Sequence, residues 1–199
     1  EALNPFYDGR LELTEADALA IDERALAPSP VVIASNLPYN ISTELLIKWL
    51  RANHDADLPP LWKRMALMFQ KEVADRIVAA PGSKTYGRLS VIAQAASRPR
   101  KAFDLPARAF TPPPKVDSSI VIFDPVAPLA DIASLEALTQ AAFSQRRKML
   151  RSSLRAVFGE MTEARLEAAG VAPTSRAEEI SVDRFLALAR LSQEDREAR

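Results

Sequence analysis

The chain has 199 residues, of which 48% are hydrophobic and 26% charged, and its formal net charge is zero; these values are ordinary for a globular protein. It contains no Cys and one His, which excludes disulfides and thiolate metal sites and argues against a His-rich metal site or a Ser-His-Asp triad. No apolar run reaches the roughly 18 residues of a membrane helix, and no signal-peptide pattern opens the chain. We therefore expect a cytoplasmic protein with no metal ion and no membrane partner, and we place His54 in a solvated loop.

The charges are unevenly distributed along the chain. Residues 1–30 carry seven acids and two bases, residues 84–115 carry seven bases and one acid, and residues 137–158 carry five bases and no acid. Basic segments in a neutral protein favour a localised anionic partner. Charges that balance across the fold would explain any one of these segments equally well.

The first part of the chain predicts alternating strands and helices. Leu11–Thr14 is predicted to be a short strand that leads into a loop at Asp17. The run VVIAS, residues 31–35, is continuously apolar and mostly β-branched, which predicts a parallel strand covered on both faces. A helix is expected to begin at Ser42, with its apolar residues on one side.

The alternation continues through the middle of the chain. The predicted elements are a buried strand at 64–70, a helix from residue 71 to Pro81, a helix within 86–97, and two strands at 100–106 and 116–123. Alternating strands and helices predict a parallel α/β sheet, and two strands in succession predict an antiparallel edge.

After a change of pattern near residue 128, only helices are predicted. A long helix runs from Ser134 to about Phe158, a short one from Thr162 to Ala169, and a last one from about Val182 to Leu191. We therefore expect two domains, an α/β domain over residues 1–127 and a helical domain over residues 128–199.

A polar corner, SNLPYN, follows the strand predicted at residues 31–35, and ligands bind beyond the carboxyl ends of such strands. The Asn36 amide can accept a hydrogen bond from an exocyclic amine and donate one to a ring nitrogen. Pro38 fixes its own φ and has no N–H, which leaves the Leu37 carbonyl available as an acceptor. Tyr39 offers a flat face on which a base can stack, worth about 1–3 kcal/mol. The corner therefore predicts a binding site for a planar ring with an amino group. The alternative is a structural turn, in which Asn36 caps the backbone and Tyr39 packs inward.

The segment NLPYNIS resembles the catalytic motif of the rRNA adenine N6-methyltransferases, and further motifs follow in the family's order. EADAL resembles the family's acidic motif, and FTPPPKVDSSIV resembles its F-x-P-x-P-x-V segment. FQKEVADRI, YGRLSV and FSQRRKMLRSSL resemble the KsgA type, the small-subunit rRNA dimethyladenosine transferases. The likeness covers essentially the whole chain, with the last helices the least diagnostic. It implies a Rossmann-like class I methyltransferase sheet, N-terminally incomplete, followed by a small all-helical domain.

The resemblance implies a role for each matching residue. The four residues from Asn36 to Tyr39 would be catalytic, and Asp17 together with Asn36 would bind S-adenosylmethionine, Asp17 through the adenine of that cofactor. Phe110 would give the target base a second aromatic face opposite Tyr39, although core packing before a proline turn is the alternative for Phe110.

One departure from the family pattern concerns glycine. The family binds its cofactor through a Gly-rich loop after the first strand, whereas this chain has five Gly in all, with no G-x-G arrangement. We therefore expect the first strands and this loop to lie upstream of Glu1. On this expectation, residues 1–199 by themselves bind the cofactor poorly or not at all and leave a sheet edge uncovered.

The third basic segment predicts an RNA-binding stripe. On one continuous ideal helix, Arg147, Lys148, Arg151 and Arg155 would lie within about 100° of arc. Such a stripe can neutralise several phosphates. A solvated helix face is the alternative, but no acid lies between Ala137 and Gly159.

The resemblance implies an enzyme that uses S-adenosylmethionine to dimethylate adenines on N6 in the 16S rRNA of the small ribosomal subunit, as part of ribosome biogenesis. We expect it to be a monomer. Three alternatives stay open. They are a large-subunit rRNA adenine methyltransferase, an RNA-binding assembly factor without turnover, and a DNA adenine methyltransferase, because a base pocket alone does not distinguish the sugar.

Overall fold

The computed structural model describes residues 7–145 and 148–198, and within them four strands form a single sheet in the order β1-β2-β4-β3. The strands are β1 (Val31–Asn36), β2 (Trp62–Gln70), β3 (Ser97–Leu105) and β4 (Ser118–Pro125). β1 and β2 are parallel, whereas β4 is antiparallel to both β2 and β3. The predicted α/β sheet with an antiparallel edge is confirmed, and within the described residues it is mixed, with β1 and β2 as its parallel pair. The cover predicted on both faces of the strand at 31–35 is wrong, because only the face that carries Val31 and Ile33 packs against the core, and Val32 is 56% exposed.

Three helices lie between the strands, and five follow them within the described residues. The first three are α1 (Ser42–Ala52), α2 (Lys71–Ile77) and α3 (Arg88–Ala96). The later five are α4 (Ile132–Phe143), α5 (Leu150–Ser153), α6 (Arg155–Phe158), α7 (Thr162–Ala168) and α8 (Val182–Glu197). Across residues 7–145 and 148–198, no helix combines the length and the apolar character that a bilayer span requires.

One face of the sheet packs against the first helices. Met65, Leu67 and Phe69 alternate along β2 toward this face and are fully buried. The apolar side of α1, including Leu46 and Leu50, covers them, as its sequence spacing predicts. Burial of each such side chain contributes about 1.5–3 kcal/mol, so this layer holds the end of β1 in a fixed position.

A second apolar cluster lies among the later helices, and it also includes residues from the first part of the chain. Tyr86 and Val91 pack into it beside Leu138 of α4 and Phe185 of α8. The Tyr86 hydroxyl donates to the Ile180 carbonyl at 3.1 Å, and burial raises the pKa of Tyr86 to about 12. Because this cluster crosses residue 128, the division into domains 1–127 and 128–199 stays a prediction.

Two of the predicted elements are wrong. Residues 10–15 form no strand, and Leu13 is 74% exposed, because strand-like alternation gives a strand only where a neighbouring strand supplies hydrogen bonds. The long helix predicted to reach Phe158 ends at Phe143. Farther on, the Leu150 N–H donates to the Ser175 carbonyl at 2.8 Å, and this pairing with a distant loop replaces a helical bond.

The solvated position predicted for His54 is also wrong, since its side chain is only 5% exposed. Its Nδ1 accepts the Leu129 N–H at 2.9 Å, and its Nε2 lies 2.8 Å from the Ala96 carbonyl. An Nδ1 that accepts leaves the proton on Nε2, so the two bonds require the neutral ring. Burial lowers the pKa of His54, in agreement with this assignment. His54 thus connects the end of α3 to the segment before α4.

Candidate active site

The corner after β1 is fixed by its neighbours. In the parallel register of β1 and β2, Asn36 lies beside Met68. The Ile41 N–H donates to the Pro38 carbonyl at 3.2 Å, and the Ser42 hydroxyl donates to the Tyr39 carbonyl at 3.0 Å. These bonds close the turn directly before α1, so the corner is held at both ends.

The Asn36 side chain is exposed, and no residue that the structure describes hydrogen-bonds to its amide. The Leu37 side chain, only 3% exposed, anchors the corner in the core. The alternative in which Asn36 caps the backbone is therefore not the arrangement found. The amide of Asn36 is free to bind a ligand.

Two aromatic rings reach the same small cavity. Tyr39 and Phe110 are both half-buried, and Phe110 directly follows the 3-10 turn Ala107–Ala109. The cavity measures about 270 Å³, at the small end of ligand pockets, which suits a single planar ring. Its lining consists of Asn36, Leu37, Pro38, Tyr39, Met68, Phe110, Pro112 and Pro114.

The structure thus brings five of the predicted site residues together, namely the four from Asn36 to Tyr39 and Phe110. Sequence reasoning missed Met68, which contributes to the wall next to Asn36. Its signal was its position near the carboxyl end of the strand parallel to β1, where ligand-contacting residues concentrate. Amide and carbonyl acceptors beside two rings can hold and orient a planar ring with an amino group.

Asp17 lies apart from this cavity and does not contribute to its lining. Its Oδ1 accepts the Leu19 N–H at 2.9 Å, and the turn is tied to α1 because Lys48 donates to the Ala18 carbonyl at 2.9 Å. The Asp17 side chain is exposed, and no described residue hydrogen-bonds to its second carboxylate oxygen. That oxygen is available as a hydrogen-bond acceptor.

Larger clefts lie elsewhere. One of about 410 Å³ lies between α1 and α3, with Ile47 and Leu89 in its walls. Another of about 540 Å³ is lined by charged residues that include Lys71 and Lys115. A third, of about 290 Å³, lies beside α8. None of the three contains a residue of the corner or a pair of aromatic rings, so the smaller cavity is the candidate active site.

The basic stripe is not one helical face. Lys148 precedes α5, Arg151 lies within it, and Arg155 begins the separate helix α6. Lys148 and Arg151 are exposed, whereas Arg155 forms an ion pair with Glu160 at 2.7 Å. Arg147 lies outside the described residues. The geometry predicted from a continuous helix is wrong, and the RNA-binding role of these residues stays a prediction.

Comparison with solved structures shows the class of protein, a Rossmann-like methyltransferase fold. The chain is similar to the crystal structure of a dimethyladenosine transferase from Plasmodium falciparum, with 26% identity and a TM-score of 0.80 over 99% of this chain and 78% of that one. It is also similar to the 23S rRNA methyltransferase ErmE, with 22% identity and a TM-score of 0.63 over 95% of this chain and 75% of that one. The second likeness shows the fold alone.

The sequence model of the ribosomal RNA adenine dimethylase family matches residues 1–194, and the chain belongs to this family. It is 52% identical over 188 residues to the ribosomal RNA small subunit methyltransferase A of Ruegeria sp. (strain TM1040), covering 92% of this chain and 65% of the relative. The protein of the same name from Mesorhizobium japonicum is 53% identical over 190 residues, with 92% and 66% covered. The chain thus spans just under two thirds of the length of these curated relatives. The family resemblance inferred from the motifs is confirmed.

Proposed function

We propose that this chain carries the base-binding part of an enzyme that dimethylates adenines on N6 in the 16S rRNA of the small ribosomal subunit. The observation that carries the proposal is the convergence of Asn36, Leu37, Tyr39 and Phe110 on one cavity. The relatives named as small subunit methyltransferases support the choice of rRNA substrate. We further propose that the enzyme acts as a monomer in the cytoplasm.

The chemical difficulty of the reaction lies at the adenine N6, because its lone pair is delocalised into the ring. Acceptors at the Asn36 side chain and the Leu37 carbonyl, directed at the two N6 hydrogens, favour a pyramidal nitrogen with a localised lone pair. This is catalysis by positioning and electrostatics. It requires no strong base, since the N6 proton is lost to water after transfer.

The rings of Tyr39 and Phe110 bind the target base by stacking. A target adenine must leave its stack before any group can reach N6. Stacking on Tyr39 and Phe110 replaces the interactions that the base loses, at about 1–3 kcal/mol per base. The rings also hold the plane of the base against the corner, so that N6 meets the acceptors of Asn36 and Leu37.

Asp17 and Asn36 are the residues of this chain that we assign to S-adenosylmethionine. The exposed carboxylate oxygen of Asp17 is an acceptor for the amino group of the cofactor's adenine, and the unpaired Asn36 amide lies at the carboxyl end of β1. When bound, S-adenosylmethionine supplies the methyl group as an electrophilic sulfonium. No residue of the site needs to bind a metal ion.

Methyl transfer to purified ribosomal subunits tests the function. With the full-length product of the gene and S-adenosylmethionine labelled in its methyl group, label is expected in small-subunit RNA as dimethyladenosine. Label in large-subunit RNA would instead support a large-subunit methyltransferase. Binding to small subunits without any label transfer would support an assembly factor without turnover, and either result would overturn the proposal.

Lys148 and Arg151 are proposed to contact RNA phosphates, together with Arg147 and Arg155. The double variant Lys148→Ala/Arg151→Ala is expected to weaken small-subunit RNA binding, because each lost phosphate contact reduces the slope of log K against log salt by about 0.7–0.9. Binding titrations at several salt concentrations measure this slope. Arg196→Ala, which removes an exposed arginine paired with Asp131, is the control; an unchanged slope in the double variant would remove this surface from the proposal.

A further inference from the structure

The two aromatic walls of the cavity come from segments that are far apart in sequence, and consecutive residues at the start of β4 bond to both. Tyr39 belongs to the corner after β1, and Phe110 to the connection between β3 and β4. Asp117 immediately precedes β4, and Ser118 is its first residue. Neither Asp117 nor Ser118 lines the cavity, so they support its walls from behind.

Ser118 fixes the hydroxyl end of the Tyr39 side chain. The Tyr39 hydroxyl lies 2.8 Å from the Ser118 hydroxyl, and the Ser118 side chain is 0% exposed. At its other end Tyr39 is fixed through its carbonyl, which accepts from Ser42 at 3.0 Å. A tyrosine side chain turns about only two bonds. Fixing both of its ends therefore sets the position of the ring and the direction of its long axis.

Asp117 holds the turn that leads to Phe110. Its Oδ1 accepts the Ala107 N–H at 2.9 Å, at the start of the 3-10 turn. The Phe110 N–H in turn donates to the Ala107 carbonyl at 3.2 Å. The Asp117 backbone is itself fixed, because its carbonyl accepts the Lys71 N–H at 2.9 Å. The second wall is thus tied to the residue adjacent to Ser118.

We propose that Ser118 is a positioning residue for methyl transfer, which holds the Tyr39 ring in position relative to Phe110 through its hydroxyl, with Asp117 fixing the opposite wall. The inference rests on the proposed function, in which an adenine stacks between these rings. β4 thereby determines the width of the gap, since one short backbone segment anchors both walls. Loss of the Ser118 hydroxyl frees the Tyr39 ring, which lowers the capture of the base and leaves the cofactor residues Asp17 and Asn36 untouched.

The next residue offers a matched control. Ser119 is also 0% exposed and also makes one side-chain hydrogen bond, but its hydroxyl donates to Asp104 at 2.6 Å, away from the cavity. Ser118→Ala and Ser119→Ala therefore delete the same atom at neighbouring buried positions. A loss of stability affects both variants, whereas a loss of base capture is expected in Ser118→Ala alone.

Two measurements test the proposal. The first uses RNA that carries 2-aminopurine, a fluorescent adenine analogue, at the target position. Quenching of its fluorescence on binding to the full-length protein reports stacking of the base and needs no turnover. The second is methyl transfer to small subunits, with kcat, KM and cofactor affinity determined separately. For Ser118→Ala we expect kcat/KM and the affinity for the analogue to fall about tenfold, because a small misplacement of a group that positions the substrate lowers the rate of reaction. Cofactor affinity is expected to stay within about twofold, and Ser119→Ala to match the wild type in all four quantities.

The hydrogen bond itself is tested by a double-mutant cycle. Tyr39→Phe removes the same bond from its other partner, and it serves as the test if Ser118→Ala fails to fold. The double variant is expected to be no worse than either single variant, because both lose one shared interaction. Normal quenching by Ser118→Ala, or effects of the two variants that multiply, would overturn the proposal. A wild type that transfers no methyl would instead contradict the proposed function, while the quenching result would still decide the role of Ser118.

Discussion

Asn36→Ala is expected to lower the rate of methyl transfer by about 100- to 1,000-fold, the cost of removing one preorganised group that stabilises charge in a transition state. No residue that the structure describes hydrogen-bonds to the Asn36 side chain, and Asn36 lines the cavity together with Leu37. Without it, one N6 hydrogen loses its acceptor and the lone pair stays delocalised into the ring. Stacking on Tyr39 and Phe110 remains, so KM for the RNA is expected to change little, and cofactor affinity to fall only modestly.

The measurement is methyl transfer from labelled S-adenosylmethionine to small subunits, with cofactor affinity determined separately by titration. Asn40→Ala is the matched control, because Asn40 is an exposed asparagine four residues after Asn36 that does not line the cavity. Turnover close to the wild type in Asn36→Ala would rule out its role. A loss of equal size in Asn40→Ala would mean that the loop, rather than the amide at position 36, is responsible.

Asn53→Ala is expected to lower the free energy of unfolding by about 2–4 kcal/mol, because it leaves two buried backbone groups without partners. Asn53 is 6% exposed; its Nδ2 donates to the Trp62 carbonyl at 2.8 Å, and its Oδ1 accepts the Trp62 N–H at 2.9 Å. These two bonds hold the end of α1 to the first residue of β2. A loss of this size is a large part of the roughly 5–15 kcal/mol by which a domain is stable.

Urea denaturation of the 199-residue chain measures this effect, with Asn40→Ala again as the exposed asparagine for comparison. The midpoint is expected to fall in Asn53→Ala and to stay unchanged in Asn40→Ala, with the same slope for both. If Asn53→Ala were as stable as the wild type, the pair of bonds to Trp62 would not hold α1 and β2 together.

Local sequence predicted the elements whose patterning is decided within a few residues. The run VVIAS predicted β1 as a strand parallel to its neighbour, although the cover predicted on both of its faces is not found, because β1 lies at the edge of the described sheet and Val32 is 56% exposed. The start of α1 at Ser42 and its buried side followed from helical spacing. The corner from Asn36 to Tyr39 was predicted as a site because it follows such a strand, and the structure places all four residues at one cavity.

The elements that sequence mispredicted are those whose partners are remote. His54 lies among polar neighbours, yet it is buried because its ring bonds to Ala96 and Leu129, which are 42 and 75 residues away. The helix predicted beyond Phe143 does not continue through Leu150, whose N–H bonds instead to the Ser175 carbonyl. The spacing of residues along a helix cannot indicate that a carbonyl in a distant loop will accept a hydrogen bond from a backbone N–H.

The family to which the chain belongs was determined by the sequence itself, through the motifs and their order. The residue types at 36 to 39 and at 110 predict a binding site for a base with an amino group. The tertiary structure alone decided how these residues meet. It placed Met68 in the wall of the cavity, kept Asp17 apart from it, and joined Tyr39 to Ser118 across 79 positions of sequence. The physical reason is that residue identity sets which bonds a group can form, whereas the distance between two groups depends on strand register and packing, which no short segment specifies.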